Sequence, residues 1–244
     1  MEKRIMDDFL LSTRKDCNSK LSMKNLQPIT VPWEKIDTVL LDMDGTLLDL
    51  HFDNYFWVDY IPRVYSESTG ISLTESQKLV EGFADEVMGT LKWYCLDYWS
   101  EKLDLDIPQL KNKIADKIKF RTNAEKFLQS LNDKNKQVIL ATNAHPKALE
   151  LKILRADFRV YFDHLSSSHD LGYPKEEQEY WQILTSRYSL NPSRCLFIDD
   201  SVRILSSAQN FGIGYLLGIP QPDSQKKARD CTPFTGISNF SQLL

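Results

Sequence analysis

Apolar positions along the chain fall into two regimes. Short aliphatic runs occur at Thr38–Leu41, Gln137–Ala141, Val160–Leu165, Arg194–Ile198 and Gly214–Gly218. Their length and β-branched content predict buried strands. Between the first run and the second, the spacing is helical throughout. Asn54–Thr69 reads as a helix bent by Pro62 and closed by Gly70. Thr74-x-x-Gln77 spells a capping box and opens a helix to about Met88, and Lys92–Leu103 and Pro108–Ile118 give two more. After Arg121, helix and strand alternate. Thr122-x-x-Glu125 opens a helix to about Asp133, and Pro146 starts the next at a position that tolerates proline. Pro174 opens one to about Tyr188, and Ser201 caps one to Asn210.

Strands alternating with helices predict an α/β fold with a doubly wound parallel sheet. An all-helical insert follows its first strand. The expected boundaries are a core at 33–51 and 120–244 and a helical insert at 52–119. Residues 1–32 form an N-terminal extension, expected to be mobile because charged and small polar residues are mixed there with few apolar clusters.

Composition narrows the picture. At 244 residues, with 42% hydrophobic and 26% charged, the chain suits one sizeable core plus a smaller inserted unit. The formal net charge of −4 provides no basic field for nucleic acid polymers. No apolar run is long enough to cross a membrane as a helix, so no membrane partner is expected. Cys17, Cys95, Cys195 and Cys231 are scattered, which fits reduced thiols in a cytoplasm. The histidines, His51, His145, His164 and His169, show no metal-binding spacing either. Nothing in the pattern fixes an oligomeric state.

The chemistry gathers where strands end. The first run leads into Asp42-Met43-Asp44-Gly45-Thr46, placing two acids at the edge where open α/β sheets bind ligands. Burying both is costly unless something positive neutralises them, and a divalent cation with its preference for oxygen ligands fits. Phe197-Ile198-Asp199-Asp200-Ser201 repeats the logic. Adjacent residues at a strand end point to opposite faces, so one acid can meet a cation while its neighbour holds a lysine or a water. Thr142 and Asn143 offer a hydroxyl and free backbone N–H groups before a helix, which suits an anion such as phosphate. Lys175, in Gly172-Tyr173-Pro174-Lys175-Glu176, is unfavourable in a helix's first turn unless it reaches an anion or the carboxylates.

These motifs together resemble the haloacid dehalogenase superfamily, and its phosphatases in particular. The resemblance runs from about Trp33 to the C-terminus and rests on DMDGT, LATN, the lysine of YPKE, and FIDDS. The helical insert is similar to that superfamily's helical cap. The stretches LLDMDGTLLDLHFDNYFW, WYCLDYWSEKL, TNAHP, GYPKE and FIDDS resemble the bacterial GMP/IMP 5'-nucleotidases, and this match extends into the cap. One departure is the order Pro174-Lys175, where many relatives have lysine before proline.

The resemblance implies a Mg²⁺-dependent phosphomonoesterase acting on a small phosphate ester, a purine nucleoside monophosphate. Asp42 would be the nucleophile and Asp44 the general acid and base. Mg²⁺ would be held by Asp42, the backbone carbonyl of Asp44, and Asp199 with or through Asp200. Thr142, Asn143 and Lys175 would hold the transferring oxygens. His51, Asp53, Asn54 and Arg121, at the hinges between cap and core, are candidate substrate contacts. The cap aromatics Phe52, Tyr55, Phe56, Trp57, Tyr60, Phe83, Trp93, Tyr94, Tyr98 and Trp99 read mostly as its own core, with one or two available to stack on a base. A sugar-phosphate phosphatase or a phosphomutase would use the same core. A non-catalytic binding protein would be expected to lack Asp42, which is present.

Overall fold

A computed structural model describes residues 29–244. Six parallel strands lie in the order β3-β2-β1-β4-β5-β6. They are β1 (Thr38–Leu41), β2 (Gln137–Thr142), β3 (His164–Ser167), β4 (Cys195–Asp199), β5 (Tyr215–Gly218) and β6 (Thr235–Gly236). Alternation along the strands divides the core in two. Val39, Leu41, Val138, Leu140, Leu196 and Ile198 face one layer. Leu40, Ile139, Ala141, Cys195 and Phe197 face the other. A sheet buried on both faces is what near-continuous apolar runs encode.

Topology then places the chemistry. From β1 the chain goes outward to β2 and β3, then returns to lay β4 on the other side of β1. Leu41 is in register with Leu140 on one side and Ile198 on the other. The residues just beyond these three strands therefore share one edge, at the switch point of the sheet.

Between β1 and the helix Ala124–Asp133, the described structure is helical apart from short turns and single bridges. The first helix starts at His51, three residues ahead of the expected position, and widens into a π-helical turn over Tyr55–Tyr60. Pro62 lacks an N–H, and the Ile61 N–H reaches back to the Phe56 carbonyl, so the bend forms ahead of the proline. Gly70 closes the segment at φ 77, as expected. The capping box of Leu73–Val87 is Ser72 with Glu75, not Thr74 with Gln77. The expected helix over Lys92–Leu103 is split at Cys95 into Leu91–Tyr94 and Leu96–Leu103.

Other expectations need correction. The helix Ala124–Asp133 begins after Asn123 in the left-handed region, with no side-chain cap from Thr122. The strand expected at Val160–Leu165 is a 3-10 turn (Arg159–Tyr161) followed by β3. The helix after Pro174 starts only at Gln178, so Lys175 occupies a buried turn and not a helix's first turn. The short strand β6 was not foreseen. Of the expected N-terminal extension, residues 1–28 lie outside the described residues. Its last residues are packed: the Ile29 N–H donates to the Gln242 carbonyl at 3.1 Å, and Ile29 and Val31 lie against the core.

Candidate active site

Asp42 follows β1, and its N–H is tied to the Ile198 carbonyl at 3.0 Å, which locks the strand end beside β4. Carboxylate oxygens of Asp42, Asp199 and Asp200 all lie within 4.8 Å of one another. Lys175 Nζ sits between two of these acids, 2.6 Å from Asp42 Oδ1 and 2.7 Å from Asp199 Oδ2. Its side chain is 1% exposed. The lysine is held in place by its own backbone. Its N–H donates to Asn143 Oδ1 at 2.9 Å, and its carbonyl accepts from Trp181 Nε1 at 2.9 Å.

One cation between two buried anions does not neutralise both. Burial therefore wins at Asp42 and Asp199, raising each carboxyl to about 6 against the pull of Lys175. Asp200 is raised to about 6 by burial and by Asp42, with Arg229 opposing at 2.9 Å. Three oxygen donors in need of further positive charge are a donor set that fits Mg²⁺.

Asp44 stands apart from that trio. Its Oδ1 accepts from Lys152 Nζ at 2.6 Å, and the same nitrogen donates to Asp53 Oδ2 at 2.7 Å. The other oxygen of Asp53 accepts from Lys111 Nζ at 2.7 Å. A relay of alternating charge thus runs from the β1 turn into the helical block. Burial raises Asp44 to about 6 despite Lys152. At Asp53 burial also pushes upward, but two lysines outweigh it and hold the carboxyl down at about 2.

Lys152 and Lys111 were not found from the sequence, yet each carried a signal. Lys152 shares the buried face of its helix with Ala148 and Leu149, and Lys111 shares one with Ile107 and Leu110. A lysine on an apolar face either snorkels or meets a carboxylate.

The remaining expected residues divide. Thr142 and Asn143 do reach the edge beside Asp42, but their side chains are engaged. Thr142 Oγ1 accepts from the Ala144 N–H at 3.0 Å, and Asn143 Nδ2 donates to Glu176 Oε2 at 3.0 Å. Tyr94 O–H donates to the other oxygen of Glu176 at 2.8 Å.

His51, Asn54 and Arg121 contact the loop Gln221–Asp223. Asn54 Nδ2 donates to Asp223 Oδ2 at 2.7 Å, and His51 Nδ1 lies 3.6 Å from Asp223 Oδ1. Arg121 Nη1 donates to the Gln221 and Pro222 carbonyls. None of the three lines the cavity, whereas Asp53 does.

That cavity measures about 330 Å³ and runs from Asp42, Asp44, Asp199 and Lys175 to a wall formed by Trp57, Trp93, Trp99, Val80, Ala84 and Met88. It falls at the lower end of small-molecule sites. Gln77 and Glu81 are the polar residues that Leu73–Val87 contributes to it.

Gly45 explains the turn's spelling. It sits at φ 84, and a Cβ there would come 2.8 Å from Asp200 Cγ and 2.9 Å from Pro222 Cβ. Gly45→Ala is expected to cost about 1–3 kcal/mol in urea unfolding as the new Cβ displaces Asp200 and Pro222. Unchanged stability would contradict this reading of the turn.

A parallel sheet with three acids and a buried lysine at its switch point is an α/β site suited to hold a cation and a phosphoryl group together. The chain belongs to the haloacid dehalogenase-like hydrolase family, whose model matches residues 36–212. It is 41% identical over 216 residues to the GMP/IMP nucleotidase YrfG of Escherichia coli K12, covering 88% of this chain and 97% of that protein. It is a phosphoric monoester hydrolase of that family. The fold is also that of a phosphatase from Thermococcus onnurineus (TM-score 0.70, 21% identity, 85% of this chain and 96% of the other). A Bacteroides thetaiotaomicron family enzyme, solved with magnesium and inorganic phosphate, shares it too (TM-score 0.57, 19% identity, 78% and 97%). Among the described residues, no helix is long and apolar enough to cross a membrane.

Proposed function

We propose that the chain hydrolyses purine nucleoside 5'-monophosphates, GMP and IMP, through a phosphoryl group carried on Asp42. The observation that carries this reading is the single cavity wall that joins the acid–lysine cluster to Trp57, Trp93 and Trp99. A phosphate held at one end leaves a flat base at the aromatic end, where stacking contributes about 1–3 kcal/mol. The identity of 41% to a GMP/IMP nucleotidase over most of both chains supports the same substrates. In this reading residues 52–119 are a cap over the core, and Asp53, Lys111 and Lys152 join the two.

The chemistry follows from the groups present. Asp42 Oδ attacks phosphorus as the bond to the ribose oxygen breaks. Asp44, held in line by Lys152 and kept protonatable near neutral pH by burial, gives the leaving oxygen its proton. Asp44 then takes a proton from water, which attacks phosphorus and frees Asp42 and inorganic phosphate. Lys175 and the backbone N–H groups after Thr142 hold the transferring oxygens. Asp42, Asp199 and Asp200 would hold Mg²⁺, which supplies charge neutralisation and polarisation at the phosphoryl oxygens.

The 6-oxopurine preference has a source on the helix Leu73–Val87. Gln77 and Glu81 are one turn apart, line the cavity, and make no side-chain hydrogen bond to the described residues. A carboxylate accepts the N1–H of GMP or IMP and faces a lone pair in AMP. A panel of monophosphates with Mg²⁺ is therefore expected to favour GMP and IMP over AMP, pyrimidine nucleotides and sugar phosphates by at least ~10-fold in kcat/KM. Glu81→Gln is expected to remove most of the advantage over AMP. A flat panel, or a preference for sugar phosphates, would remove the nucleotidase reading and leave the phosphatase.

A further inference from the structure

Cysteine and histidine positions that share no spacing along the chain meet at one point in space. Cys95 lies between Leu91–Tyr94 and Leu96–Leu103, His145 caps Pro146–Ala156, and His169 lies in the short helix Ser168–Leu171. A ligand atom from each lies within 4.8 Å of the others. The two imidazoles stand edge to face with centroids 4.9 Å apart. His169 Nε2 is buried and has no hydrogen-bond partner among the described residues. A buried nitrogen left unpaired beside a thiol and a second imidazole calls for an explanation.

Asp97 borders this cluster through His145. His145 Nε2 is 3.7 Å from Asp97 Oδ2, while Asp97 Oδ1 is held by Lys147 Nζ at 2.6 Å. Cys95 Sγ accepts from the Tyr98 N–H at the start of its helix at 3.5 Å.

We propose that Cys95, His145 and His169 form a zinc-type metal site distinct from the carboxylate cluster, with the fourth position open to water. One sulfur and two imidazole nitrogens are donors that zinc takes, a water completing the tetrahedron, and they do not suit Mg²⁺. Tetrahedral geometry needs ligand atoms about 3.3–3.7 Å apart, which follows from metal–ligand bonds of about 2.0–2.3 Å. Ligand atoms within 4.8 Å of one another reach this by side-chain rotation. The cost falls on His145. Its Nδ1 accepts the Lys147 N–H at 3.3 Å, and coordination through Nε2 moves the ring proton to Nδ1 and gives up that long bond. Asp97, held by Lys147 at 2.6 Å, stays beside His145 as an outer partner. Cys95 belongs to the helical block, and His145 and His169 to the sheet edge. The ion therefore ties the two together, beside the Tyr94–Glu176–Asn143 chain of hydrogen bonds.

The test is cobalt titration of the metal-free full-length chain, because only a thiolate ligand gives a sulfur-to-cobalt charge-transfer band. The expected result is one tetrahedral Co²⁺ per chain with that band, bleached by Zn²⁺ and untouched by Mg²⁺. Cys95→Ser removes the band, and circular dichroism confirms its fold. His169→Ala weakens binding by at least about 100-fold, beyond the loss an outer partner causes. Asp42→Asn leaves the band intact. Absence of the band in the native chain, its survival in Cys95→Ser, or its loss in Asp42→Asn would each overturn the proposal.

Discussion

Asp42→Asn is expected to lower turnover by at least ~10⁴-fold while the protein folds as before. The amide keeps the size of the carboxylate and loses the nucleophile. Stability should stay within about 1 kcal/mol of the native chain, because Lys175 keeps Asp199 as its partner and a costly buried charge is removed. Steady-state rates and thermal unfolding of the same preparation separate the two effects. A variant that retained more than a few per cent of activity would remove Asp42 from the chemistry.

Lys175→Met should damage both stability and activity. It leaves Asp42 and Asp199 buried with no cation between them, a loss of about 3–5 kcal/mol when one partner of a buried pair is removed. Turnover should fall by about 10²–10³-fold as a donor to the transferring oxygens is lost. The sign of the pH dependence follows from the raised carboxyls. A folded-state pKa above the unfolded value contributes stability at low pH that is lost as pH rises through the folded pKa. Asp42 and Asp199 already stand at about 6, and without Lys175 they move further up. The deficit should thus be small near pH 4 and grow through pH 6 and above, as read by urea unfolding at several pH values. Mg²⁺ should stabilise this variant more than the native chain, since it supplies the missing charge. A deficit that does not change with pH would mean that Lys175 acts through packing alone.

Much of the fold could be read because the strands are buried on both faces. Thr38–Leu41 was placed to the residue, and its neighbours to within one or two. The four motif positions converge for the same reason: each follows a strand or precedes a helix at one edge of a parallel sheet. Local signals failed where a second candidate competed. Ser72 with the charged Glu75 took the capping box from Thr74 with Gln77, and Lys175 was assigned to a helix that starts three residues later. Contacts between distant segments were not accessible to a linear reading. Lys152 and Lys111 reach Asp44 and Asp53 from separate helices. The Cys95–His145–His169 cluster draws on three segments, so no spacing announces it. The contacts of His51, Asn54 and Arg121 are made to the loop Gln221–Asp223, which carries no motif.

The most direct test of the catalytic reading is acid-quenched turnover of GMP radiolabelled in its phosphate, followed by peptide mapping. The expected result is Mg²⁺-dependent, hydroxylamine-labile label on the peptide that contains Asp42, absent from Asp42→Asn. Phosphate release with no labelled protein, or label on any other residue, would contradict it.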